Sequence, residues 1–150
     1  MSIEEIDNST LVLSLSRSYR APAARVFKAW TDPEDLRRWY APVDGWTVSK
    51  AEVDLRVGGG YHLEFGPPGA EQVVEKGRYE EIVEGNLLVF SITIEGQNID
   101  EATRVRVEFV ESAGRTEVTI VEGKYSSEAT RDMHAKGWSH CLDLLTAVVQ

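Results

Sequence analysis

From Leu11 to Tyr19 apolar and polar residues alternate, with Leu11, Leu13, Leu15 and Tyr19 on one side and Ser14, Ser16 and Ser18 on the other. That period of two predicts a half-buried strand. Arg17 interrupts the apolar row near the strand's end, where a long side chain reaches water. After Ala21-Pro22 the period lengthens. Ala23, Val26, Phe27 and Trp30 recur at helical spacing, and Pro22 suits the first helical position. Asp32-Pro33-Glu34-Asp35 opens a second short helix: Asp32 caps, Pro33 needs no amide donor, and the acids face the positive end of the dipole. Leu36, Trp39 and Tyr40 give it an apolar side, Arg37 and Arg38 fill its last turn, and Pro42 stops it.

A run of strands follows, at Trp46–Leu55, Tyr61–Phe65, Val73–Val83, Leu87–Ile94, Arg104–Glu111 and Thr116–Lys124. Gly58-Gly59-Gly60, Gly66-Pro67-Pro68-Gly69, Glu84-Gly85-Asn86 and Ser112-Ala113-Gly114 separate them as turns. Connections this short favour antiparallel pairing. The alternation slips between Val48 and Ala51, which predicts a bulge. Beyond Ser127 the pattern is helical to the end. His134, Trp138, Cys141, Leu145 and Val148 form one stripe, and Asp132, Lys136, Ser139, Asp143, Thr146 and Gln150 the opposite one. The expected fold is α+β: a curved antiparallel sheet around a long C-terminal helix, with two short helices after the first strand.

Length and composition add boundaries. The 150 residues are expected to form a single domain spanning 1–150. Sixteen basic against twenty-five acidic side chains give a net charge of -9, which repels phosphate backbones and acidic membrane surfaces. Neither nucleic acid nor a membrane is an expected partner. With an acidic N-terminus that lacks an apolar h-region, and with no long apolar run, the cytoplasm is the expected location. The single cysteine rules out an internal disulfide and a cysteine-cluster metal site.

Several chemistries fail on spacing. His134 lies about 10.5 Å along the helix axis from Cys141 at 1.5 Å per residue, and His140 points to another side, so no base serves the thiol. His134 and His140 are six apart rather than three or four, which argues against a helical metal pair. His62 and Glu64 share a strand side opposite Tyr61, Leu63 and Phe65, a solvated face. The three glycines before Tyr61 lead into a strand, whereas a phosphate loop opens a helix. No catalytic residue, metal or cofactor is assigned.

Four stretches in order carry a resemblance: Arg20-Ala21-Pro22 through Val26-Phe27-Lys28-Ala29-Trp30-Thr31-Asp32-Pro33-Glu34 with Leu36 and Trp39; Gly45-Trp46-Thr47-Val48; Asp54-Leu55-Arg56-Val57-Gly58-Gly59-Gly60-Tyr61; and His134-Ala135-Lys136-Gly137-Trp138 with Leu142 and Leu145. From about Leu11 to Val149 the chain resembles the START-like group related to the C-terminal domain of the activator of the ninety-kilodalton heat-shock chaperone ATPase. The resemblance implies a helix-grip fold. It also implies one of three activities: binding an apolar molecule between sheet and helix, acting with a heat-shock chaperone in the stress response, or polyketide cyclase/dehydratase-like catalysis.

Within that frame the helix–sheet interface holds the candidate ligand-binding residues: Trp39, Tyr61, Phe65, Phe90, His134 and Trp138. His134 is either a core histidine satisfied by the protein or a polar anchor in a cavity. The aromatics are either plain core or the walls of a pocket. Gly137 beside Trp138 leaves room against the sheet, or marks close helix-to-sheet contact. The expected partner is a small apolar molecule, with a chaperone as the alternative. Strand carboxylates such as Glu52, Asp54 and Glu81 have no assigned direction, and an exposed sheet edge offers a homodimer contact that nothing in the sequence selects.

Overall fold

A computed structural model describes residues 11–97 and 102–150. Among them, β1 (Leu13–Tyr19) leads into α1 (Ala23–Thr31) and α2 (Pro33–Trp39). Six strands follow: β2 (Thr47–Val53), β3 (Gly60–Gly66), β4 (Val73–Val83), β5 (Leu87–Ile94), β6 (Thr103–Ser112) and β7 (Arg115–Gly123). The 22-residue α3 (Glu128–Val149) comes last. The seven strands form one curled antiparallel sheet in the order β1-β7-β6-β5-β4-β3-β2, wrapped on α3.

The helix boundaries follow local chemistry. Asp32 closes α1 and caps α2, its Oδ1 accepting from the amides of Glu34 at 2.8 Å and Asp35 at 3.4 Å, with Pro33 first in the helix. Pro22 sits one position earlier than expected, as the N-cap of α1, where its carbonyl accepts from Arg25 and Val26. Ser127 caps α3 through its hydroxyl, which accepts from the Thr130 amide at 3.1 Å.

Period-two alternation decides what faces the helix. On β7 Thr116, Val118, Ile120 and Glu122 form one fully buried row. On β3 the row is Tyr61, Leu63 and Phe65, and on β6 it is Thr103, Val105, Val107 and Phe109. The expected bulge in β2 appears as a register shift between Val48 and Lys50, and a second lies between Tyr79 and Glu81 in β4. Arg17 leaves the apolar row of β1 to pair with Asp143 on the solvent side of α3. Two hydrogen bonds to carbonyls of α3 then fix the helix. The Tyr19 hydroxyl donates to the Leu142 carbonyl at 2.8 Å, and Arg25 donates to the Val148 carbonyl at 3.0 Å while pairing with Asp35.

Gly77 governs a close approach. It pairs with Tyr61 across β3 and β4, and a Cβ at this position would lie 1.8 Å from Tyr61 Cε2. The missing side chain lets the Tyr61 ring lie across β4. Gly77→Ala is expected to cost about 1–3 kcal/mol through overpacking, read as a lower urea midpoint at unchanged slope.

Candidate functional site

The sheet curls away from the first half of α3, leaving a cavity of about 430 Å³ between them. Its apolar wall comes from Phe65 of β3, Val73 of β4, Ile92 and Ile94 of β5, and Trp138 of α3, with Pro42 and Trp46 from the loop after α2. Val43 and Met133, 43% and 63% exposed, stand at the rim. Gly137 faces this loop rather than the sheet. The nearest atom to an added Cβ would be Cβ of Pro42, at 3.0 Å, so the close contact expected with the sheet is made with Pro42 instead.

Two carboxylates reach the cavity from the buried face of the sheet. Glu75 on β4 is 6% exposed, and its Oε2 accepts from the hydroxyls of Tyr40 and Tyr61, each at 2.7 Å. Glu122 on β7 is fully buried. Its Oε1 accepts from Trp138 Nε1–H at 2.6 Å and its Oε2 from the Thr103 hydroxyl at 2.5 Å. Burial pushes the Glu75 carboxyl up to about 7. The two tyrosine hydroxyls pull it down, and the nearby charge of Glu122 raises it further. Tyr40 and Tyr61 are held well above the usual phenol range by burial and by the Glu75 charge.

A side chamber of about 150 Å³ adjoins the cavity, sharing His134, Met133 and Ile92 with it and bounded by Tyr125. The Tyr125 ring packs against His134 at 5.0 Å. Its hydroxyl is buried and is pushed up by burial and by the Glu122 charge. The same carboxylate also acts on it as a hydrogen-bond acceptor, though among the described residues no partner meets full hydrogen-bond geometry.

Of the six residues singled out in the sequence, Phe65, His134 and Trp138 share the cavity wall. Tyr61 contributes through its hydroxyl on Glu75, while its ring packs edge-on against Phe90 at 5.6 Å. Phe90 lies beneath, bordering a void of only about 10 Å³. Trp39 is fully buried away from the cavity, with its Nε1–H donating to the Ala29 carbonyl at 2.8 Å and its ring edge-on to Trp30 at 4.8 Å. His134 is half-buried. Cys141 lines the cavity as a thiol that burial pushes up. His62 and Glu64 meet at 2.8 Å on the outer side of β3.

The inward acids Glu75 and Glu122 are the residues sequence reasoning missed. For Glu122 the signal was present, because Thr116, Val118 and Ile120 place it on the buried row by strict alternation. Among the described residues no group of His, Cys, Asp and Glu is placed to hold a metal ion, and no helix is long and apolar enough to cross a membrane. The arrangement can therefore enclose an organic guest against apolar walls and present two carboxylates to its polar end.

Comparison with known proteins places this geometry in a family. Residues 20–150 match the family described as Activator of Hsp90 ATPase homolog 1-like protein. A solved structure from Chromobacterium violaceum is 27% identical, with a TM-score of 0.81 over 92% of this chain and 96% of that one. One from Rhizobium loti is 29% identical, with a TM-score of 0.69 over 91% and 94%. An Hsp90 activator from Plasmodium falciparum, 23% identical, shares the fold with a TM-score of 0.73 over 92% and 95%. No curated protein matches the chain significantly. Since the match runs from the approach to α1 through the whole of α3, the chain belongs to the Activator of Hsp90 ATPase homolog 1-like family and has its helix-grip, START-like fold.

Proposed function

We propose that the protein binds a small, largely apolar molecule in the cavity between α3 and the sheet. The observation that carries this reading is the cavity itself: about 430 Å³, mostly apolar, with a few buried polar groups converging on it. Binding pockets commonly measure about 300–1,000 Å³ and have this composition. Filling the cavity would remove apolar wall from water without rearranging the core beneath it. Protein purified without detergent and extracted with organic solvent is expected to release one apolar compound in near-stoichiometric amount, or to bind Nile red when the cavity is empty. An extract free of such compounds, together with no Nile red fluorescence, would remove the reading.

A second reading is favoured by the family match: action with a heat-shock chaperone. The net charge of -9 suits a basic docking surface on such a partner. This reading expects saturating protein to change the chaperone's ATP turnover, and unchanged turnover would end it. A cyclase- or dehydratase-like reaction needs two polar groups aimed at one point. Glu75 and Glu122 supply a pair of this kind, but no further observation favours that reading over binding.

A further inference from the structure

We infer that the molecule taken by the cavity carries a protonated nitrogen on an apolar body, so that its class is an amphiphilic amine. This rests on the binding reading above and adds the chemistry of the ligand's polar end.

Glu75 and Glu122 both line the cavity, yet among the described residues neither belongs to an ion pair. Every hydrogen bond they accept comes from a neutral donor: Tyr40 and Tyr61 on Glu75, Trp138 and Thr103 on Glu122. A carboxylate offers about four lone-pair sites, so each retains about two for an incoming group. Buried charge is ordinarily paired, because an ion taken out of water without a partner is strongly disfavoured. Among the described residues no cationic side chain forms an ion pair with either carboxylate. Lys136, the one lysine on the cavity wall among the described residues, is solvent-exposed.

Two further features suit a cationic head. The rings of Tyr40, Phe65 and Trp138 stand on the wall beside the carboxylates, and aromatic faces attract ammonium groups. The Tyr125 hydroxyl, in a residue only 4% exposed, leans toward Glu122 as acceptor, takes no donor among the described residues and borders the adjoining chamber. Its oxygen is a ready acceptor for an N–H. A fatty acid would instead set its own carboxylate against two others. At longer range the net charge of -9 draws cations toward the mouth.

The test compares three probes that share one ten-carbon chain: decylammonium, decan-1-ol and decanoate, titrated calorimetrically at physiological salt and about pH 8. Decylammonium is expected to bind at least about tenfold more tightly than the alcohol, as charge-assisted hydrogen bonds and cation–π contacts would give. Decanoate should bind most weakly. Glu122→Gln and Glu75→Gln should each shrink the amine's lead over the alcohol, with circular dichroism and a cooperative urea transition reporting that the variants fold. If one variant fails to fold, the other and the wild-type ranking decide. Equal or tighter binding of the alcohol or of decanoate, or an undiminished amine preference in the glutamine variants, overturns the inference. Failure of all three probes to bind overturns the underlying binding reading instead.

Discussion

Glu75→Gln is expected to remove a pH-dependent penalty on the order of 3 kcal/mol from the folded protein. Burial raises the Glu75 carboxyl from its ordinary 4.5 to about 7 in the fold. Between these values the folded state holds a proton that the unfolded chain has released. Stability therefore falls as pH rises through that window, and above about 7 the full penalty is present. Glutamine keeps the shape and an oxygen to accept from the Tyr40 and Tyr61 hydroxyls, but it cannot ionise. Urea unfolding of wild type and variant at about pH 4.5 and about pH 8 checks this. The variant should gain on the wild type by roughly 3 kcal/mol at the higher pH relative to the lower. Parallel profiles would show that Glu75 is not the buried carboxyl described here.

Trp138 carries the second large effect. It is 6% exposed, stacks on Trp30 at 5.5 Å, meets Tyr40 edge-on at 5.7 Å, and donates its indole N–H to Glu122. Trp138→Ala should cost about 3–5 kcal/mol, through lost burial and an enlarged cavity. Trp138→Phe keeps a ring but leaves a buried carboxylate oxygen without its donor, at about 1–3 kcal/mol. In a Glu122→Gln background the cost of Trp138→Phe should shrink, because the acceptor is then uncharged. Equilibrium unfolding of the four proteins measures this coupling. A Trp138→Phe variant as stable as the wild type would show that the indole–carboxylate bond contributes nothing.

The order of elements was legible because each signal was local. Alternation in β1 and β7, the Asp32-Pro33 cap and the helical stripe through Trp138, Cys141 and Leu145 all act within a few residues. Even the β2 bulge showed as a slip in alternation. The candidate site was legible only in part. Phe65, His134 and Trp138 share the cavity because helix stripe and strand face both pointed there. Trp39 looks the same in sequence, but α2 turns it onto Ala29 and Trp30, and that turn depends on how two short helices dock. The direction of Glu75 was hidden for a different reason. Its neighbours on the inward row of β4 include Gly77, which carries no side chain to mark the face, and the Tyr79/Glu81 register shift breaks the alternation beyond it. The Tyr40 and Tyr61 hydroxyls meet on Glu75 across 35 and 14 residues of chain, a convergence that no local pattern encodes.

The side-chain indole resonances of a ¹⁵N-labelled sample, followed during titration with decan-1-ol, test cavity binding most directly. Trp138 lines the cavity, whereas Trp39 donates to Ala29 within the core and serves as an internal control. The Trp138 indole N–H resonance should shift saturably while that of Trp39 stays in place. A Trp138 resonance unmoved at saturating alcohol would contradict the account.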